Sequence, residues 1–493
     1  MRRLAPLAGA LTLGVLLTLA FGSSAQGQSS PGPVAPGEDP NEAERAAREA
    51  EMFGESEAPA TAAPRSSAPP GWAPSSTEAR EDALFGEGAT SESAAPPAPE
   101  PPVVMDPLQI GGQFYLRFAH TLRQGDRWDN NPLSMPNLVD LYFDARPTER
   151  MRAYLRGRLT YDPTIDANAA ANPLFSTGPN PNVLLDQLWL KVDIARTAFL
   201  TVGAQRIRWG PAFLWNPVDI VHPVRRNPLV FFDERVGTTL VKLHLPVESL
   251  GWNFYVVAMM DRANTLENVG GAFRGEFVVG TVELGLSASA RTATRPRFGL
   301  DFSAGVWELD IYGEAALHWG TYAKVYGGNF DVATGELPQE LDYAERLYVE
   351  ATGGLSWTTN FNDRDQLILG GEFNYNGVGY DDPDIYPFLF AQGGFVPFYT
   401  GRYYAAVFAT VVGPGSLDDA SFTLFNLGNL SDLSFVSRVN ATFRVLTWLQ
   451  LEAFVGVHYG TRNGEFRLGV SIPDVIELSP QLIDLGLNFR LQI

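Results

Sequence analysis

The 493-residue chain contains no cysteine. That absence excludes disulfide staples, thiolate metal sites and a lipid anchor on a cysteine, and it suits passage through an oxidising compartment. Basic residues are also scarce: 36 Lys and Arg face 56 Asp and Glu, a formal charge of −20. Nucleic acid is therefore not an expected partner, because phosphate binding needs clustered cations. After Phe21 no apolar stretch approaches the roughly 20 residues that a membrane helix requires, so a helical inner-membrane protein is excluded. Catalytic signatures are missing too. There is no Gly-x-Ser-x-Gly elbow, no His-Glu-x-x-His helix and no phosphate-cradling glycine loop, and no enzyme is expected. The five histidines (His120, His222, His244, His318, His458) are scattered along the chain. Asp381-Asp382-Pro383-Asp384 offers hard oxygen ligands without EF-hand spacing, and reads as a solvated acidic loop. Neither a metal nor a cofactor is expected.

What is present divides the chain into three. Residues 1–25 read as a signal peptide: Arg2 and Arg3 begin it, Leu4 to Phe21 form an apolar run, and Ser23-Ser24-Ala25 offers a small-residue cleavage site. Residues 26–105 are rich in Pro, Ala, Ser and Glu, with 14 acidic and 4 basic residues, half of the net charge. Such a segment has too little apolar surface to offset its ordering entropy, so a disordered periplasmic arm is expected. Within it, Ala47-Arg48-Glu49-Ala50-Glu51-Met52-Phe53-Gly54-Glu55 recurs as Ala79-Arg80-Glu81-Asp82-Ala83-Leu84-Phe85-Gly86-Glu87. Each copy is a short helix-prone run with an apolar pair, Met52-Phe53 or Leu84-Phe85, and a glycine able to end it. Two readings stay open: a twin motif docking a periplasmic protein, or a duplicated unit with no partner.

From 106 to 493 the pattern changes to period-2 alternation in runs of the length that a tilted membrane strand needs. In the last run Ile483, Leu485, Leu487, Phe489, Leu491 and Ile493 share one face, and Leu482, Asp484, Gly486, Asn488, Arg490 and Gln492 the other. Likewise Leu309, Ile311, Ala315 and Leu317 alternate with Asp310, Tyr312, Glu314 and His318. The runs exceed the five or six residues usual for soluble strands. Aromatic residues gather at their ends, with Trp252, Trp307 and Trp357 near one rim and Trp319 and Tyr459 near the other. The pattern predicts an all-β protein, a transmembrane antiparallel β-barrel in outer-membrane lipid. Its strands are expected near 108–120, 137–146, 150–162, 183–194, 198–208, 236–245, 250–260, 271–279, 281–291, 297–306, 308–319, 345–357, 364–376, 400–412, 419–427, 433–444, 447–459 and 481–492. An even count places the further extended run 465–472 in an outer loop. The long loops 121–136, 163–182, 209–235, 320–344, 377–399 and 460–480 then fall outside and the short turns on the periplasmic side.

Two stretches carry a resemblance. Asp484-Leu485-Gly486-Leu487-Asn488-Phe489-Arg490-Leu491 resembles the C-terminal signal read by the outer-membrane barrel assembly machinery, with Gly486, Phe489 and Leu491 at its marked positions. Many chains with that signal end on an aromatic residue, whereas this one continues to Gln492-Ile493. Gly203-Ala204-Gln205-Arg206-Ile207-Arg208-Trp209-Gly210, followed by Asn216-Pro217-Val218-Asp219, looks like a motif of large porin-like outer-membrane families. The resemblance implies a porin-like barrel and names no substrate.

The expected function is a channel for passive diffusion of small polar solutes. Loop 209–235 combines Trp209, Phe213, Trp215, Phe231 and Phe232 with four prolines, and so apolar a loop is not expected to lie in water. It reads either as a constriction folded into the lumen, with Asp219, Arg225 and Arg226 lining the pore, or as a packed lid on the outer rim. On the lumen face, Arg117, Arg152, Arg156 and Arg158 form a basic ladder. Asp301, Asp310, Glu314, Glu350 and Glu372 lie about half a circumference away. Opposed walls of unlike charge would set a transverse field across the pore; alternatively the charges pair in a plugged interior. The rival functions are a non-conducting structural or assembly barrel, and a component of a dedicated export or uptake system held to a periplasmic partner by the arm.

Overall fold

The computed structural model describes residues 107–493 except 166–179, 223, 232–233, 293, 332–333, 362–364 and 473–475. The expected signal peptide, the arm and its repeats with Met52, Phe53, Leu84 and Phe85 lie outside the described residues.

Eighteen strands form one closed antiparallel barrel. In chain order they are β1 (Leu108–Arg123), β2 (Asn137–Thr148), β3 (Met151–Tyr161), β4 (Asn182–Ile194), β5 (Ala198–Gln205) and β6 (Thr238–Val247). Next come β7 (Trp252–Met259), β8 (Gly270–Val279), β9 (Val282–Arg291), β10 (Thr294–Val306), β11 (Leu309–Trp319) and β12 (Leu347–Asn360). The circuit ends with β13 (Gln366–Asn376), β14 (Tyr403–Val412), β15 (Ala420–Asn429), β16 (Ser434–Leu446), β17 (Leu449–Gly460) and β18 (Gln481–Gln492). Each strand pairs with its sequence neighbours, and β1 closes the circuit on β18 through registers such as Phe114↔Leu491 and Leu116↔Phe489. Closure leaves no unpaired sheet edge, which a strand bundle in lipid must avoid because hydrocarbon offers no hydrogen bonds. Every strand expected from the alternation is found, and among the described residues no other strand enters the barrel wall except the two-residue Leu133–Ser134, which pairs with β1.

The pleat distributes side chains inside-out relative to a soluble barrel. Leu284, Leu286, Phe298, Leu300, Phe302, Leu355, Val407 and Leu424 are exposed on the outer face. Ser287, Asp301, Glu314, Glu350, Glu372, Thr410 and Glu452, on the alternate positions, are buried. This is the arrangement of a barrel solvated by lipid outside and by polar groups inside. The rims follow the aromatic pattern: Trp307, in the turn between β10 and β11, is fully exposed, and Trp319 and Tyr459 are exposed at the opposite ends of their strands.

Turns on one side are short, such as Glu149-Arg150 between β2 and β3 and Trp307-Glu308 between β10 and β11. The long connections gather on the other side and pack on one another. Helix α1 (Tyr386–Ala391) sets Tyr386, Leu389 and Phe390 against Leu468 and Val470 of the last loop. Run 465–472 lies outside the barrel wall, as a single turn Glu465–Arg467 and a short strand, Val470–Ile472, paired with Ile476–Leu478. A dome thus covers part of the outer mouth.

Candidate functional site in the lumen

Residues of loop 206–237, between β5 and β6, bond to inward-facing side chains of the wall as well as to the dome. Its course is set by two glutamates on the lumen face. Glu372, on β13, accepts hydrogen bonds from three consecutive backbone amides, Phe213 (2.9 Å), Leu214 (3.1 Å) and Trp215 (2.8 Å), and from the Tyr312 hydroxyl (3.0 Å). Glu314, on β11, accepts from the amides of Ala212 (2.8 Å) and Val218 (3.2 Å) and from the Asn216 side chain (3.1 Å). Two carboxylates therefore satisfy five amides of an irregular segment that would otherwise be bare in a low-dielectric interior. Gly210 is needed here: its φ is +95°, and a Cβ at this position would collide with the Glu314 carboxylate. Gly203 is a second such point, where φ is +123° and a Cβ would run into the Leu188 carbonyl. The Gly-x-Gln…Trp-Gly stretch thus contains two glycines that the backbone path requires.

Apolar packing completes the anchorage. Phe213 meets Tyr312 edge-on at 5.3 Å; Trp215 lies 5.6 Å from Tyr404 and donates its indole N–H to the Phe398 carbonyl at 3.0 Å. Arg226 donates to the Phe213 carbonyl (2.7 Å), and Tyr399 donates to the carbonyl of Arg226 (2.8 Å). Burial pushes the Tyr399 hydroxyl up to about 12, so it remains a donor at neutral pH. Arg225 pairs with Glu350 at 2.6 Å, and Arg235 with Asp219 at 3.0 Å. Trp209 lies under the Arg274 guanidinium, 5.8 Å from its ring centre. On the far side Phe231 packs near Phe454 and Glu234 reaches Arg117 at 2.6 Å, while the Glu234 carbonyl accepts from Arg158 at 2.9 Å. Burial raises the Glu234 carboxyl above its ordinary range and the neighbouring Arg117 opposes that shift.

The basic ladder is present on β3, but it is not bare. Arg152 bonds Asp144 through two nitrogens at 2.9 and 3.0 Å. Arg158 bonds Asp140 likewise at 2.8 and 3.0 Å, and reaches Asp186 at 3.3 Å. Arg156 shares both acids, with Asp140 at 2.6 Å and Asp186 at 3.5 Å. The register explains the pairing: Asp140 lies directly across from Arg158, and both point inward. On the other wall Asp301 carries a bidentate Arg274 at 2.7 and 2.9 Å, with Glu276 on the same arginine at 2.6 Å. The expected bare basic wall is therefore corrected: the β3 arginines are neutralised by Asp140, Asp144 and Asp186 on the neighbouring strands β2 and β4. Of the opposed acids, Asp301 carries Arg274 and Glu350 carries Arg225, while Glu314 and Glu372 meet neutral donors and, among the described residues, no cation. Asp310 is half-buried at the short-turn end of β11.

Sequence reading missed Asp140, Asp144, Asp186, Arg274, Glu276 and Glu234. The first two were accessible in principle, since the alternation of β2 puts them on the lumen parity beside the β3 arginines. In the acidic loop, Asp381 pairs with Arg402 at 3.1 Å and Asp382 caps the Asp384 amide at 3.0 Å.

In class, the molecule is a transmembrane antiparallel β-barrel of the outer-membrane type: closed, even-stranded, apolar outside and polar within. A single chain forms the whole wall, and residues of the loop between β5 and β6 bond to side chains on its inner face. No known family model matches the chain, and no curated protein is similar to it in sequence. Among solved structures it is similar to OccAB1 of Acinetobacter baumannii, at 10% identity and a TM-score of 0.48, over 78% of this chain and 96% of that one. OccK11 (OpdR) of Pseudomonas aeruginosa aligns at 10% identity and a TM-score of 0.42, over 78% and 96%. A triple mutant of Rhodopseudomonas blastica porin aligns at 9% and 0.40, over 78% and 100%. At such identities no residue role passes from those proteins to this one.

Proposed function

We propose that the protein is a porin-like outer-membrane channel for passive diffusion of small polar solutes, its lumen narrowed by the 209–235 loop. The observation that carries this reading is the fastening of the loop to the wall by Glu314 and Glu372. A polar, charge-lined interior suits water and polar solutes, and an inward loop held on buried carboxylates gives a fixed cross-section. In this reading Trp209, Asp219, Arg225 and Arg226 belong to the constriction, and Arg117, Arg152, Arg156, Arg158, Asp301, Asp310, Glu314, Glu350 and Glu372 to the lumen wall. The acidic arm would hang in the periplasm. Gly486, Phe489 and Leu491 would serve the assembly machinery; Phe489 lies on the lipid face, 6.3 Å from Phe118 across the closing seam.

A second reading is favoured by one observation. The loop touches both walls, with Trp215 on one side and Phe231 and Glu234 on the other. A loop crossing the whole lumen could close it, leaving a structural or assembly barrel, or a part of an export or uptake system held by its arm.

Planar-bilayer recording of the full chain decides between them. Stable ohmic steps are expected. Replacing Arg152, Arg156 and Arg158 by Ser should shift selectivity toward cations, because Asp140, Asp144 and Asp186 then lose their partners. A folded barrel that conducts only after the loop is shortened would favour the plugged reading and overturn the open channel.

A further inference from the structure

The lumen arginines of β3 and β8 sit beside carboxylates. The outer part of the β9–β12 wall departs from that rule. Among the described residues Arg291, Arg295 and Arg297 have neither a hydrogen bond nor an ion pair, and the Nε atoms of Arg291 and Arg295 are buried without a partner. Arg295 has only the face of Tyr322, 4.6 Å from its ring centre. Beside them on the inward face of β11, His318 is 4% exposed, and both of its ring nitrogens lack a partner. The imidazole is stacked on Tyr348 at 4.5 Å and 3°.

The register brings these groups together: Arg297 is opposite His318, and His318 opposite Tyr348. Glu350, two residues from Tyr348, is the carboxylate at hand, and it already takes Arg225 at 2.6 Å. Three guanidiniums therefore have no counter-charge of their own. Leaving such groups buried and unpaired is costly, whereas the deeper Arg158 and Arg274 each receive two acids. A patch with this surplus of donors is short of an anion.

We propose that this outer stretch of lumen wall is a binding site for the oxyanion group of a solute, a carboxylate or a phosphate. The Arg297 guanidinium supplies a planar pair of donors suited to two oxygens. His318 offers a further N–H from a ring fixed in place by Tyr348. Arg291 and Arg295 add positive potential nearer the outer mouth, which draws anions inward. The site deepens the channel reading, on which it rests only for the route by which a solute arrives.

Calorimetric titration of the purified full chain in detergent micelles at low ionic strength tests it without requiring conductance. The probes are inorganic phosphate in one arm and benzoate in the other. Saturable binding in either arm is expected, and the arm that binds more tightly identifies the oxyanion. Arg297→Gln and His318→Phe should each weaken it by roughly tenfold, the second while keeping a ring to stack on Tyr348. Arg127→Gln, which removes an exposed outer-loop cation, should leave it unchanged, and heat-modifiable gel migration verifies that each variant is folded. Failure to saturate in both arms overturns the site, as does affinity unchanged in folded Arg297→Gln. A barrel that binds the anion but passes no current would sink the channel and keep the site.

Discussion

A single carboxylate, Glu372, satisfies three successive amides and a phenol. Glu372→Ala should therefore cost more than one hydrogen bond, on the order of 3–5 kcal/mol as for other buried charged networks stripped of one member. Urea unfolding in phospholipid vesicles measures it, and Glu372→Gln, which keeps one acceptor oxygen, should lose less. A cost below about 1 kcal/mol would mean that the loop is held by its aromatic side chains instead. Asp140 makes the same case on the opposite wall. It bonds Arg156, Arg158 and Gln113, all largely out of water. Asp140→Ala should destabilise by about 3–5 kcal/mol, whereas breaking the exposed pair of Arg127 and Asp129 should change stability by about 0–1 kcal/mol. Equal effects in the two assays would show that the lumen is wet enough to screen its charges as bulk solvent does.

At the scale of elements, the alternation fixed where strands lie, because a one-residue slip would turn every apolar side chain from lipid to lumen. It located ends less well. β5 stops at Gln205 instead of continuing to 208, and β14 begins at Tyr403 instead of 400, where loop contacts replace strand pairing. That loop 209–235 would pack instead of lying in water was the expectation from its composition, but its fastening was not legible. Glu372 is separated from the amides it accepts by 157 to 159 residues, and backbone donors leave no mark in a sequence. The neutralisation of the β3 arginines was missed for a different reason: pairing of Asp140 with Arg158 depends on strand register, which alternation alone does not supply. In the dome, Glu465 illustrates an element held by one buried acid. It accepts from the Phe398 amide, the Tyr404 hydroxyl and the Asn429 side chain (2.8 Å), and burial, helped by the Asp432 charge, raises it to about 8. An unfolded glutamate titrates near 4.3, so between these values the native dome binds the extra proton. Its contribution to stability is complete below the unfolded value and is lost as pH rises through about 8. Amide exchange in segment 395–404 should accordingly be slower at pH 6 than at pH 9 after correction for intrinsic rates. Glu465→Gln should flatten that difference, and persistence of the full difference in the variant would assign it to another group.

For the whole molecule, the decisive property is which face of the wall meets which solvent. Strand length, even count and closure are compatible in principle with a barrel in water, but the distribution of side chains is not. Leu300 lies mid-strand on β10, directly across from Leu286 on one side and Ala315 on the other, and is 53% exposed on the outer face. In water, an arginine there would be harmless or better, since it would replace exposed hydrocarbon with a solvated charge. In a bilayer the same change places a cation in the middle of the acyl chains, at a cost of about 2–4 kcal/mol. Leu300→Arg should therefore be destabilised by about that amount, relative to Leu300→Ala, when unfolded from phospholipid vesicles. Moving the arginine along the lipid face to Val306, beside the exposed Trp307 at the short-turn rim, should reduce the penalty to about 0–1 kcal/mol, because the side chain then reaches the headgroups. A gradient from centre to rim is what a membrane imposes and what bulk water cannot. Equal costs at both positions would take the outer face of this barrel out of the bilayer, and with it the channel.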